Sequence, residues 1–209
     1  MDKKELEILL SKLKEISHPD VELEQYTIPS NLAAEILNLA YLSQDIENKI
    51  ILDLGCGTGR LTIGSVLMGA RRVIGIDVDK NILKIAKENI KIAEELTDKK
   101  IQNRINFIHK DISEWKGEVD TVIQNPPFGI QKLHADRPFL KKALECGKKI
   151  YSLHRSYEES RNFLTEFVEQ NGGIIERIIK FKFRTPYIFK FHKKPFVNYD
   201  VDLLVISKV

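Results

Sequence analysis

The run Ile50-Ile51-Leu52-Asp53-Leu54, followed at once by Gly55-Cys56-Gly57-Thr58-Gly59, constrains this chain more than any other stretch. So short an apolar run reads as a strand covered on both faces. Glycine at alternate positions lets the backbone turn sharply and come close to a ligand. A helix opening just afterwards, near Arg60, presents free backbone N–H groups at that same point. Strand, glycine loop and helix in this order commit the chain to a parallel α/β sheet whose site lies at the carboxyl ends of its strands.

The remaining pattern keeps that rhythm. Apolar runs at 72–76, 105–108, 119–123 and 149–153 alternate with amphipathic helical stretches at 60–68, 81–96, 139–146 and 157–169. Two β-rich stretches, 174–184 and 201–209, have no helix between them, so one antiparallel strand is expected at the end of the sheet. The expected fold is a doubly wound, Rossmann-like, mostly parallel seven-stranded sheet with one antiparallel strand. Upstream, Leu6, Leu9, Leu10, Leu13 and Ile16 fall at helical spacing, His18-Pro19-Asp20 reads as a turn, and a second helix is expected over 31–42. At 209 residues the chain suits one domain. Within it, residues 1–45 are expected to form a helical cap and lid, and 46–209 a catalytic core.

The glycine loop and its flanking carboxylates define a cofactor class. Asp53 stands just before the glycines. The second strand ends in Gly75-Ile76-Asp77, with Val78 beside it, where a carboxylate can accept both hydroxyls of a ribose. A dinucleotide site expects G-x-G-x-x-G. Here the loop is Gly55-x-Gly57-x-Gly59, and Arg60 occupies the place of the last glycine. A carboxylate at Asp53 suits an ammonium beside a sulfonium better than a pyrophosphate, so S-adenosylmethionine is the favoured cofactor and a class I methyltransferase the favoured reading. Asp111, after the third strand, is read as an acceptor for the adenine amine of the cofactor, with Ile112 against the ring. The same aspartate also suits a helix cap before Ser113-Glu114.

A second loop, Gln124-Asn125-Pro126-Pro127-Phe128-Gly129, closes the fourth strand. Two prolines fix φ twice and remove two backbone donors. The Asn125 amide oxygen and the Pro126 carbonyl are thereby left to accept hydrogen bonds from one planar amine, and Phe128 is placed to stack on a base. Two acceptors on an NH₂ group hold it still and direct a lone pair at an incoming methyl. Asn125, Pro126, Pro127 and Phe128 are the catalytic candidates, and Asn125 also borders the cofactor.

Other chemistries find little support. Cys56 and Cys146, the two cysteines, form neither a disulfide framework nor a zinc set, and neither stands as a nucleophile for cytosine-C5 chemistry. The five histidines, His18, His109, His134, His154 and His192, share no ligand spacing, so no metal site is read. No signal core or membrane-length apolar run is present, which fits a cytoplasmic protein with no membrane partner. The net charge of +3 does not by itself call for a nucleic acid. Its distribution does. From Arg177 to Tyr199 there is no acidic residue, and basic and aromatic residues interleave. Within it Tyr187, Lys190, His192, Lys193 and Lys194 are read as RNA contacts, while Phe181 and Phe183 are read as core positions.

With these residues in view, the chain resembles the small-subunit ribosomal RNA adenine-N6 methyltransferases, whose eukaryotic member works with a small zinc-binding activator. The shared strings include Leu23-Glu24-Gln25-Tyr26, Asp53-Leu54-Gly55-Cys56-Gly57, Asn125-Pro126-Pro127-Phe128-Gly129, Phe139-Leu140-Lys141, Tyr151-Ser152-Leu153-His154 and Phe191-His192-Lys193-Lys194. The resemblance implies an archaeal member of that family. It also implies that Gln25, Tyr26 and Thr27 close over cofactor and base, and that the target is adenine N6 of small-subunit rRNA. An activator subunit is expected to add a strand at the sheet edge near Ile105–Ile108. Two alternatives stay open on the residues alone: a protein glutamine N5-methyltransferase, whose loop usually carries Tyr in place of Phe128, and an RNA guanine-N2 methyltransferase.

Overall fold

A computed structural model describes residues 1–129, 133–186 and 196–209, with side chains of the last two strands described up to 182 and from 200. Seven strands form one sheet: β1 (Ile50–Leu54), β2 (Arg72–Asp77), β3 (Ile105–His109), β4 (Val119–Gln124), β5 (Gly147–Arg155), β6 (Gly173–Pro186) and β7 (Phe196–Lys208). Their order is β3-β2-β1-β4-β5-β7-β6. The first five strands pair in parallel, and β7 runs antiparallel to both of its neighbours. The strand order reverses between β1 and β4, and that reversal opens the crevice where such sheets bind ligands.

One expectation is corrected. The reversed strand does not lie at the end of the sheet; it is inserted between β5 and β6. Burial explains the placement. Every residue from Val201 to Ile206 is buried, so β7 needs partners along both edges as well as on both faces. On β6, Ile174 is 55% exposed and Ile178 38% exposed, and Glu176, Arg177, Lys180 and Lys182 are also exposed. Charged side chains of that kind suit an edge.

Helices cover both faces. They are α1 (Lys3–Leu10), α2 (Ser30–Leu42), α3 (Arg60–Leu67), α4 (Lys80–Thr97), α5 (Arg137–Cys146) and α6 (Glu158–Gln170). Helix α4 shows the amphipathic logic: Ile82, Leu83, Ala86, Ile90 and Ala93 are buried at three- and four-residue spacing, and Asp79 caps the N-terminus by accepting from the amides of Asn81 and Ile82. On one side the sheet packs with α1, α2 and α3 in a single cluster running from Leu6 to Val205. On the other, Leu52, Val122, Ile150 and Leu204 pack with α5 and α6.

The first helix is shorter than its spacing suggests. It ends at Leu10, and Leu13 is buried from a non-helical segment. The fully buried Asn89 on α4 supplies the reason. Its oxygen accepts the Lys14 amide at 2.7 Å and its nitrogen donates to the Lys14 carbonyl at 3.0 Å, so these backbone groups are satisfied across the fold rather than within a helix. Asn89 also donates to the Thr58 carbonyl at 3.0 Å, tying the N-terminal segment to the glycine loop.

Candidate active site

The glycine loop leaves β1 with positive φ at Gly55 (70°), Gly57 (52°) and Gly59 (79°), a region that excludes most side chains. The amides of Gly55 and Cys56 both donate to the Ile76 carbonyl, at 2.9 and 3.0 Å, which fastens the loop to β2. A cavity of about 710 Å³ opens here, within the range of small-molecule sites. Gly59 lies behind its wall. A Cβ there would sit 2.8 Å from the Phe107 ring, so packing beneath the loop, rather than a ligand, demands glycine at that position.

Two carboxylates flank the glycines. Asp53 is 2% exposed. Thr62 donates to its Oδ2 at 2.6 Å, while Oδ1 is buried with no hydrogen-bond partner among the described residues. Burial pushes the Asp53 carboxyl up to about 7, against the pull of the Thr62 hydrogen bond and with help from nearby Asp77. An orphaned buried carboxylate oxygen beside a glycine cradle fits an ammonium group. Asp77 accepts the Gly57 amide at 2.8 Å on Oδ2 and the Asp79 amide at 2.9 Å on Oδ1. Burial raises its pKa too, and the two amides oppose the rise. Both cysteines are packing residues: burial raises the thiol of Cys56 and lifts that of Cys146 to about 11.

Of the two roles considered for Asp111, the structure shows the cap and a place in the cavity wall. It lines the cavity, and it also caps the short 3-10 turn Ile112–Glu114, its Oδ1 accepting the Ser113 amide at 2.8 Å and hydroxyl at 2.6 Å.

The N-terminal segment crosses this cavity. Gln25, Tyr26 and Thr27 all line it. Gln25 donates to Asp79 Oδ2 at 2.9 Å and accepts the Asp20 amide at 2.9 Å. The Gln25 bond holds the Asp79 carboxyl below its usual range. Thr27 accepts the Ile16 amide at 3.2 Å. A strap not seen in the sequence reinforces the segment. Arg60, 2% exposed at the start of α3, donates to the Ile28 carbonyl at 2.5 Å and to Glu15 at 3.2 Å. An arginine inside an otherwise apolar helix start was its signal.

Across the cavity, β4 delivers Asn125, Pro126 and Pro127 to the wall. The Tyr26 hydroxyl donates to Asn125 Oδ1 at 2.6 Å, and the Tyr26 and Phe128 rings lie 5.7 Å apart. An amide oxygen has two lone pairs, so this bond orients the Asn125 side chain and leaves a second acceptor direction. The half-buried Phe128 packs against the core beside Tyr26 and does not line the cavity. His134, Pro138 and Phe139, which the sequence did not mark as site residues, also line the wall. A proline one residue into α5 was the available signal for a helix start facing the site. The structure thus gathers Gln25, Tyr26, Thr27, Asp53, Gly55, Gly57, Asp77, Val78, Asp111, Ile112, Asn125, Pro126 and Pro127 around one cavity. The RNA-contact candidates Tyr187, Lys190, His192, Lys193 and Lys194 lie outside the described residues.

Comparison with known proteins gives the family. The family model of the ribosomal protein L11 methyltransferases (PrmA) matches residues 35–126, the cofactor half of the chain. An uncharacterized protein of Methanocaldococcus jannaschii is 44% identical over 99% of this chain and 94% of its own length. The rRNA N(6)-adenosine-methyltransferase METTL5 of Danio rerio is 32% identical over 98% of each chain. A crystal structure from Pyrococcus horikoshii, provisionally described as an RNA methyltransferase, superposes with a TM-score of 0.91 at 42% identity, covering 100% of this chain and 98% of that one. The fold and these relatives define a class I methyltransferase, the class whose cofactor is S-adenosylmethionine. Within that class, the chain belongs to the METTL5 family of rRNA N(6)-adenosine-methyltransferases.

Proposed function

We propose that this protein methylates the N6 amine of an adenine in structured RNA, and that the RNA is small-subunit rRNA. The observation that carries the reading is the shared wall: Asn125 and Pro126 face the same cavity as the orphaned carboxylate of Asp53 and the glycine loop. S-adenosylmethionine supplies a methyl group made electrophilic by its sulfonium. Asp53 holds the ammonium of that cofactor, Asp77 its ribose hydroxyls, and Asp111 with Ile112 its adenine edge and ring. Gln25, Tyr26 and Thr27 close the cavity from the N-terminal side.

Asn125 Oδ1 and the Pro126 carbonyl accept from the target amine, fixing its plane and aiming its lone pair. Pro127 stiffens the loop, and Phe128, packed beside the Tyr26 ring, supports the loop from the core. The amine becomes acidic only after transfer, so its proton leaves to solvent without a strong base. Positioning of the amine and a shaped polar pocket are the sources of rate.

The relation to protein methyltransferases covers less of the chain: a protein of Methanocaldococcus jannaschii provisionally described as a protein N5-glutamine methyltransferase is 33% identical over 63% of it. The match to the L11 enzymes stops at Pro126, while the match to METTL5 extends over 98% of the chain. This favours RNA over a protein amide. Phe128 in the loop points the same way. No helix among the described residues is long and apolar enough to cross a membrane. An activator subunit of the zinc-binding type would dock on β3, a terminal strand of the sheet whose residues are half-buried or exposed.

The test is methyl transfer from labelled cofactor to rRNA, followed by nucleoside mass spectrometry. N6-methyladenosine is the expected product, and N2-methylguanosine or labelled protein would overturn the reading. Asn125→Ala is expected to lower turnover by roughly a hundredfold or more while cofactor affinity persists, because it removes a contact made to the reacting amine.

A further inference from the structure

Four polar side chains form a continuous hydrogen-bonded row behind the Asn-Pro-Pro loop. Gln124, the last residue of β4, donates from Nε2 to the Ser152 hydroxyl at 2.8 Å. Ser152 lies 2.8 Å from His154 Nε2, and His154 Nδ1 lies 2.9 Å from Asp136 Oδ2. Gln124, Ser152 and His154 are each at most 1% exposed. A neutral His154 that carries its proton on Nδ1 donates there to the carboxylate and accepts on Nε2 from Ser152, while a doubly protonated ring donates at both nitrogens, because a hydroxyl that accepts from Gln124 can accept a second bond.

Asp136 occupies the N-cap position of α5, yet its side chain makes no cap bond to that helix. It is turned to His154 instead, and the bond to His154 holds its carboxyl below the usual range despite burial. A cap residue that forgoes its helix is held by another requirement.

The arrangement resembles a Ser-His-Asp hydrolase triad, but the geometry rejects that role. Ser152 is fully buried and does not line the cavity, so no substrate carbonyl reaches its hydroxyl. What the row does join is the two stems of one loop. Gln124 immediately precedes Asn125, and Asp136 closes the segment that brings His134 and Ala135 to the cavity wall before α5 begins. Both ends are fastened to β5, the neighbour of β4 in the sheet, where Gln124 and Ser152 stand in register.

We propose that Ser152 and His154 are positioning residues that clasp the two stems of the loop carrying Asn125, holding its amide oxygen and the Pro126 carbonyl at the reacting amine. The role of the loop in transfer rests on the proposed function above; the clasp itself does not. Two readouts keep them apart. The first is hydrogen–deuterium exchange of the full chain saturated with S-adenosylhomocysteine, the coproduct of methyl transfer, in the absence of RNA. Ser152→Ala breaks two bonds of the row with the loss of one atom. It is expected to speed exchange of amides between 125 and 136 by about tenfold or more, with the rest of the chain unchanged. Loop amides within about twofold of the unsubstituted protein, or loop amides that already exchange freely in it, would overturn the clasp.

The second readout is turnover on rRNA. Ser152→Ala and Asp136→Ala are expected to lower kcat by about ten- to a hundredfold, with KM for RNA and affinity for cofactor held within about twofold. Asp136→Asn, which keeps an acceptor for Nδ1–H, should recover most of that loss. Unchanged kcat, or a parallel fall in kcat and cofactor affinity, would overturn the positioning role. An unsubstituted protein inactive on RNA would instead strike the proposed function, with the exchange result still deciding the clasp.

Discussion

At the scale of single residues, Asp53 is the most consequential group in the cavity. Its carboxyl titrates near 7 against an ordinary value of 3.8 because burial disfavours the charge. A pKa raised by folding means that the folded state holds the proton more tightly. The associated stability is therefore complete below about 3.8 and is lost as pH rises through about 7. We predict that the cofactor-free protein melts at lower temperature at about pH 8 than at about pH 5, and that Asp53→Asn flattens this slope. Cofactor affinity should move the opposite way, rising over the same interval as the carboxylate forms. Asp53→Asn should weaken cofactor binding by roughly ten- to a hundredfold, the worth of one charge-assisted hydrogen bond, as isothermal titration would measure. An unchanged affinity would remove Asp53 from the site. Asp53, Asp77 and Asn125 were legible in the sequence because each sits within two residues of a glycine or proline signal at a strand end. Arg60–Glu15, Asn89–Lys14 and His154–Asp136 were not, since their partners lie 45, 75 and 18 residues away and meet only when the sheet has formed.

At the scale of elements, apolar periodicity located every strand and helix and misjudged two arrangements. Helix α1 stops at Leu10 because the side chain of Asn89 bonds the backbone at Lys14, a tertiary contact that no local pattern encodes. The order of β6 and β7 was hidden for a related reason. Chain order suggests that the last strand takes the edge, whereas the burial of Val201 through Ile206 draws it inward. This yields a contrast that can be measured. Leu204→Ala, at a fully buried position on β7, is expected to cost about 2–5 kcal/mol in urea unfolding. Ile178→Ala, 38% exposed on β6, should cost less than about 1 kcal/mol, because only part of the side chain leaves water on folding. Equal losses would contradict the assignment of β7 to the interior.

At the scale of the whole molecule, the proposed cofactor and RNA contacts draw on different parts of the sequence. The cofactor cavity is built from the first half of the sheet and the N-terminal segment. The basic and aromatic stretch from Arg177 to Tyr199 belongs to the second half and carries no acidic residue to oppose it. If Lys193 and Lys194 each neutralise a phosphate, replacing both by alanine should reduce the slope of log affinity against log salt by about 1.4–1.8. Filter binding at several salt concentrations checks this, and an unaltered slope would shift the RNA footprint elsewhere.

The insertion of β7 between β5 and β6 also sets the order of assembly. During synthesis both flanking strands exist before the one that joins them, so β6 has no seat on the sheet, and β5 keeps an open side, until the final strand is made. Because β5 also supplies Ser152 and His154, the proposed clasp on the Asn125 loop gains its full backing only once β7 is in place. A nascent chain is thus expected to gain a cofactor pocket before it gains a competent loop, and a ribosome-bound intermediate halted before Phe196 should bind the methyl donor without modifying RNA.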